Sequence, residues 1–122
     1  MNARGERGQT IVITVLLATA LLGFAALVVD TGTWFRARRH TQAIADAAAL
    51  AAAQALPSDT TQARTLASQY VTSNGGNAQT AQISIDTTYR TNDTASVTVH
   101  EPAEGFFAKL FGVDLLDVSS TA

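Results

Sequence analysis

The stretch Ile11–Val29, IVITVLLATALLGFAALVV, is 19 residues long and carries no charge. A helix needs roughly 20 apolar residues to cross the hydrocarbon core of a bilayer, so this run is long enough to span one. Arg4 and Arg7 precede it and Asp30 follows it. Two other readings fit less well. A secretory signal peptide has an apolar core of about 7–15 residues and then a small-residue cleavage site, whereas Ala18-Thr19-Ala20 falls inside this run. A buried helix of a soluble domain needs an enclosing core, and the roughly 90 remaining residues make one small domain at most. The expected organisation is one membrane anchor followed by one small domain.

Charge is unevenly spread. Residues 1–39 hold Arg4, Arg7, Arg36, Arg38 and Arg39 against Glu6 and Asp30, a net of +3, while residues 40–122 carry a net of −5. An acidic domain of this kind is not expected to bind nucleic acid by neutralising phosphates. The arginines bracket the apolar run and read as contacts to lipid headgroups. Positive charge favours the cytoplasmic side, but both flanks are basic, so charge alone leaves the orientation open. There is no cysteine, hence no disulfide framework and no cysteine-based zinc site.

Nothing breaks the helix at Asp30. Trp34-Phe35 suits an interfacial aromatic position, and Asp30, Trp34, Arg36, Arg38 and Arg39 form the expected membrane-edge set. For Asp30 the readings are a side chain snorkelling at the interface or an ion pair with a neighbouring subunit's arginine. Pro57 disfavours helix at the residue before it, so the helix should stop near Leu56. Its outer half is rich in alanine, the best helix former. Ile44, Ala48, Ala51, Ala52 and Ala55 recur at three- and four-residue steps. Such a face packs closely on a helix: its own domain's, or that of another protein.

Pro57-Ser58-Asp59-Thr60 is a turn with a built-in helix cap. Ala63, Leu66, Ala67, Tyr70 and Val71 then form an amphipathic stripe, ended by Asn74-Gly75-Gly76. Beyond this the period changes to two. Ile83, Ile85, Thr87 and Tyr89 alternate with polar residues, Asn92-Asp93 makes a turn, and Ala95, Val97 and Val99 alternate again, which predicts a hairpin. Pro102 is expected to end the second strand. Phe106, Phe107, Leu110 and Phe111 predict a short apolar-faced helical turn closed by Gly112. Leu116–Thr121 predicts a third strand. The fold class is therefore α+β: a long helix, a second amphipathic helix, and an antiparallel sheet of about three strands. The segments are a basic leader (1–8), the long helix (9–56) and a small domain (57–122).

Catalytic sets are sparse. His100 has Glu101 beside it and Glu104 four residues on, but a metal site needs further ligands on rigid elements, so no metal or cofactor is expected. There is no phosphate-binding loop and no nucleophile–base spacing. Asp117-Val118-Ser119-Ser120-Thr121 has the D-x-S-x-S/T form of metal-dependent adhesion loops, without the helix and large parallel sheet that such loops require.

Arg4-Gly5-Glu6-Arg7-Gly8-Gln9-Thr10, the apolar run, Val29-Asp30-Thr31-Gly32, Arg38-Arg39 and Ala45-Asp46-Ala47-Ala48-Ala49-Leu50-Ala51-Ala52-Ala53 together resemble the N-terminal module of TadE/TadG-like proteins of the Flp (tight adherence) pilus assembly system. Residues 4–56 carry the resemblance most strongly. It implies a pilin-like, single-pass protein of the bacterial cytoplasmic membrane, with its N-terminus in the cytoplasm and its domain outside. It implies a minor pilin-like or pseudopilin-like assembly component and no enzyme. The implied partners are the lipid bilayer, other pilin-like or pilus assembly proteins, and a prepilin peptidase cutting between Gly8 and Gln9. The glutamate that prepilins usually place five residues into the mature chain is here Ile13. Longer members carry a large extracytoplasmic domain, sometimes of von Willebrand A type, which is not expected here. The alternative function is a membrane-tethered extracytoplasmic module that binds an envelope partner outside the pilus pathway.

Overall fold

The computed structural model describes residues 3–112 and 116–122, with side chains from Gly8 onward. Met1, Asn2 and the side chains of Arg4 and Arg7 in the basic leader lie outside the described residues, as does Asp114 of the acidic domain. The molecule is an α+β structure built on one rod. Helix α1 runs from Ala3 to Ala53 without interruption, about 75 Å at 1.5 Å per residue. Its apolar window is long enough to cross a membrane, and none of it is buried within the protein. Thr14 and Thr19 donate their hydroxyls to the carbonyls of Thr10 and Val15, at 2.8 and 2.9 Å. Their polar groups are thus satisfied inside the helix, as hydrocarbon requires.

The folded domain wraps the far half of α1. Helix α2 (Thr60–Ser73) starts where Asp59 accepts a bond from the Gln62 N–H at 2.8 Å. It ends at Asn74, and Gly75 beyond takes the left-handed φ of +90° that favours glycine. Strands β1 (Gln82–Asp86), β2 (Thr94–Ala103) and β3 (Leu116–Thr121) form an antiparallel sheet in the order β1-β2-β3. α1 packs on α2, β2 and β3. The core is made of Ile44, Ala45, Ala48 and Ala52 from α1, Ala63, Ala67 and Val71 from α2, and Val97 and Val99 from β2. Alanine at the helix–helix contact allows this close packing. Gly76 belongs to the same contact: a Cβ there would come within 2.9 Å of Val71 Cγ1.

Three details differ from the sequence expectations. In α2, Tyr70 is exposed and the buried stripe is Ala63, Ala67 and Val71. β1 stops at Asp86 and does not continue to Tyr89, because the Asp93 carboxylate gathers the chain into a turn. It accepts bonds from the N–H groups of Thr88, Arg90 and Tyr89 at 2.8–2.9 Å, local bonds that compete with a strand ladder. Pro102 does not end β2 but lies within it, opposite Asp117. Val97 and Ala122 exchange both backbone bonds. By the alternation of antiparallel pairs, Pro102 then falls at a position that needs no N–H toward β3. β1 pairs only with Thr94–Thr98, so no strand needs that N–H on the other side either.

The backbone N–H groups of Thr88, then Arg90 and Tyr89, hold the Asp93 carboxyl far below the usual carboxylate range, with burial opposing them and the Thr94 hydroxyl helping. A carboxyl depressed by folding adds stability above its unfolded pKa and loses it as the pH falls toward the folded value. Asp93→Ala should therefore lower the melting temperature at pH 7. The gap to the wild type should narrow steadily below about pH 4, as thermal melts across pH 2–7 would record.

Candidate functional site

Where the apolar run meets the domain, a buried acid ties the two together. Asp30 is only 3% exposed. Its carboxylate accepts the Phe107 N–H at 3.0 and 3.1 Å and the Ala108 N–H at 2.6 Å. These donors open the 3-10 turn Ala108–Phe111, which leaves the end of β2 and closes at Gly112, φ +81°. Backbone donors at the start of a helical turn have no intrahelical partner, and Asp30 supplies one from 77 residues away. Asp30 therefore neither snorkels free nor meets an arginine among the described residues: it binds two peptide groups.

Gly105 makes the approach possible. A Cβ there would stand 2.7 Å from the Ala108 Cβ and 3.1 Å from both Asp30 Oδ2 and Trp34 Cζ2. Trp34 is half-buried beside this loop, and its Nε1 has no acceptor among the described residues. Between the loop and α1 runs an apolar groove of about 450 Å³ that reaches from Thr19 to Trp34 along the helix.

The remaining expected site residues fall into three places. Ile44, Ala48, Ala51 and Ala52 are buried at 0–2% exposure, and Ala55 packs against the same core. α2 and β2 of the same chain complete the core on this face. Arg36, Arg38 and Arg39 are exposed, with the Arg39 guanidinium 4.8 Å from the centre of the Phe35 ring, a cation–π distance. Gly8 and Gln9 are exposed on α1, and nothing lies within 4 Å of a Cβ built on Gly8.

The chemistry-bearing residues of the sheet do not converge. His100 Nδ1 lies 3.3 Å from Asp117 Oδ2, whereas Glu101 points to the other face of β2. Among the described residues, no three His, Asp or Glu side chains are grouped to hold a metal ion. Asp117, Ser119 and Thr121 lie within strand β3, not in a loop beyond a strand, and Thr121 exchanges its hydroxyl bond with Thr98 at 2.8 Å.

The partnership of Asp30 with Gly105, Phe107 and Ala108 was not foreseen from the sequence. Its signals were a carboxylate closing an apolar run and a glycine preceding two phenylalanines. Neither says that the two segments meet.

Residues 8–55 match the family model Tad, described as "Putative Flp pilus-assembly TadE/G-like". The matched stretch is thus similar to a TadE/G-like Flp pilus-assembly domain, and it coincides with α1 from Gly8 to just past its end. The match supports a pilus-related, structural role in association with other pilus components, and the long bare helix fits a single-pass membrane anchor. Neither the curated proteins nor the solved structures gave a match.

Asp30→Ala should strand the Phe107 and Ala108 donors at a cost of about 1–3 kcal/mol. Gly105→Ala should loosen the same loop by crowding. Hydrogen exchange of the detergent-solubilised protein should show faster exchange at residues 107–108 in both variants. The amides of the Asp93 turn should not change.

Proposed function

We propose that the protein is a minor pilin-like or pseudopilin-like assembly component of a Tad/Flp-type pilus machinery, acting by helix packing in the membrane. α1 anchors it once in the bacterial cytoplasmic membrane, with the N-terminus cytoplasmic and the α+β domain extracytoplasmic. The observation that carries this reading is the coincidence of the family match with one continuous helix, apolar and bare in its first half and alanine-rich and packed in its second. The alanine face is covered by its own domain, so contacts to other pilus proteins fall to the apolar half and to the outside of the domain. The role is structural and non-enzymatic. Ile13, where prepilins place a glutamate, favours an accessory component over a shaft subunit, because that carboxylate normally pairs with a neighbour's amine in an apolar filament.

Deletion of the protein should abolish piliation, and a photo-crosslinking residue at Leu16 should capture another pilus component. Normal pili in the deletion strain would move the assignment to a tethered module that binds an envelope partner.

A prepilin peptidase is expected to cut between Gly8 and Gln9. The intact mass of the protein from native membranes should then correspond to a chain beginning at Gln9. A mass that retains the residues before Gln9 would make it a permanently anchored protein.

A further inference from the structure

The loop tied down by Asp30 points down the anchor, toward the apolar run. Its Phe107, Leu110 and Phe111 share one apolar groove with Thr19, Leu22 and Leu27 of α1. Leu22 lies eight residues before Asp30, about 12 Å along the helix. The outer sides of the loop are bare: Phe106, Leu110 and Phe111 are 76%, 80% and 82% exposed. Exposed aromatic and aliphatic side chains in one patch call for a covering partner.

Five backbone N–H groups of residues 107–112 find acceptors within the protein. The N–H groups of Phe107 and Ala108 go to Asp30. Those of Lys109, Leu110 and Gly112 go to the carbonyls of Gly105, Phe107 and Lys109. Irregular backbone enters hydrocarbon only when such groups are satisfied within the protein. The described charges of the loop are Glu104 and Lys109, paired at 3.4 Å. A lysine stem can lie along apolar surface while its ammonium reaches the headgroups.

We propose that residues 106–111 are a second membrane element: a short monotopic wedge that enters the outer leaflet beside α1 and is covered by lipid acyl chains. Asp30 acts as its internal tie. The occupant is lipid because the patch continues the apolar surface of the anchor at the same height. The proposal rests on α1 being that anchor.

The chain has no cysteine, so single cysteines can carry nitroxide spin labels on the full-length protein. Leu22→Cys, Phe111→Cys and Tyr89→Cys would be reconstituted in vesicles of phosphatidylethanolamine and phosphatidylglycerol. Tyr89 is 93% exposed on the hairpin turn and serves as the aqueous reference. Collisional relaxation by oxygen and by a water-soluble nickel chelate then reports depth. The expected result is that the labels at 22 and 111 favour oxygen and lose access to nickel, while the label at 89 does the reverse. Nickel access at 111 with lipid access at 22 would overturn the wedge and leave the anchor standing. Nickel access at both would remove the anchor reading and the wedge with it. Loss of both relaxants at 111 that is relieved by diluting protein in lipid would give the patch to a second copy, and would also overturn the proposal.

Discussion

The structure depends on the close approach that alanine permits along the far half of α1. Ala45, Ala48 and Ala52 are fully buried in one cluster with Ala63, Ala67 and Val71 of α2 and Val97 and Val99 of β2. Larger side chains would hold the helices apart, and a packed interior has little room to absorb extra volume. The largest fully buried side chains are only Ile44, Val71, Val97 and Val99, with Thr41. Such a core is thin, and α1 supplies four of the nine clustered residues. The sheet and α2 therefore have no separate interior of their own. The apolar run and the scaffold of the domain are one element.

This union has a mechanical consequence. A domain joined to its anchor by a flexible linker could tilt freely above a membrane. Here the helix passes from the apolar run into the core without a break, and β3 is attached to it as well. The Ser120 hydroxyl donates to the Arg38 carbonyl at 3.5 Å, and the Gln42 side-chain amide reaches the Thr121 carbonyl at 3.4 Å. The loop that binds Asp30 adds a further tie at the end of the apolar run. Lateral packing of the apolar half would thus fix the height and rotation of the domain.

The parts legible in the sequence are those governed by local periodicity. The 19-residue apolar run, the alanine face, the Asp59 cap and the two-residue alternation each state their structure within a few neighbours. The errors at β1 and β2 arose where one residue overrode its neighbours' pattern. Asp93 draws three N–H groups into a turn against a regular alternation at Thr87–Tyr89. Pro102 is tolerated because the register leaves its missing donor without a partner to serve. Register is a tertiary property, and the sequence around Pro102 does not contain it.

Asp30 shows the same limit most clearly. A carboxylate at the end of an apolar run has several physically acceptable fates, including water, an arginine, or a set of peptide donors. Which one holds depends on a loop 77 residues away and on Gly105 being small enough to let it close. Burial of an acid is costly unless its oxygens are hydrogen-bonded, and here each oxygen has a donor. The bonds also hold an exposed apolar loop against the bare flank of the helix. Because that loop leaves β2 and leads on toward β3, placing it at this height constrains one end of the sheet while the alanine face constrains the other side. Two contacts of different kinds, one polar and one made of small apolar groups, set the domain's position along the same rod.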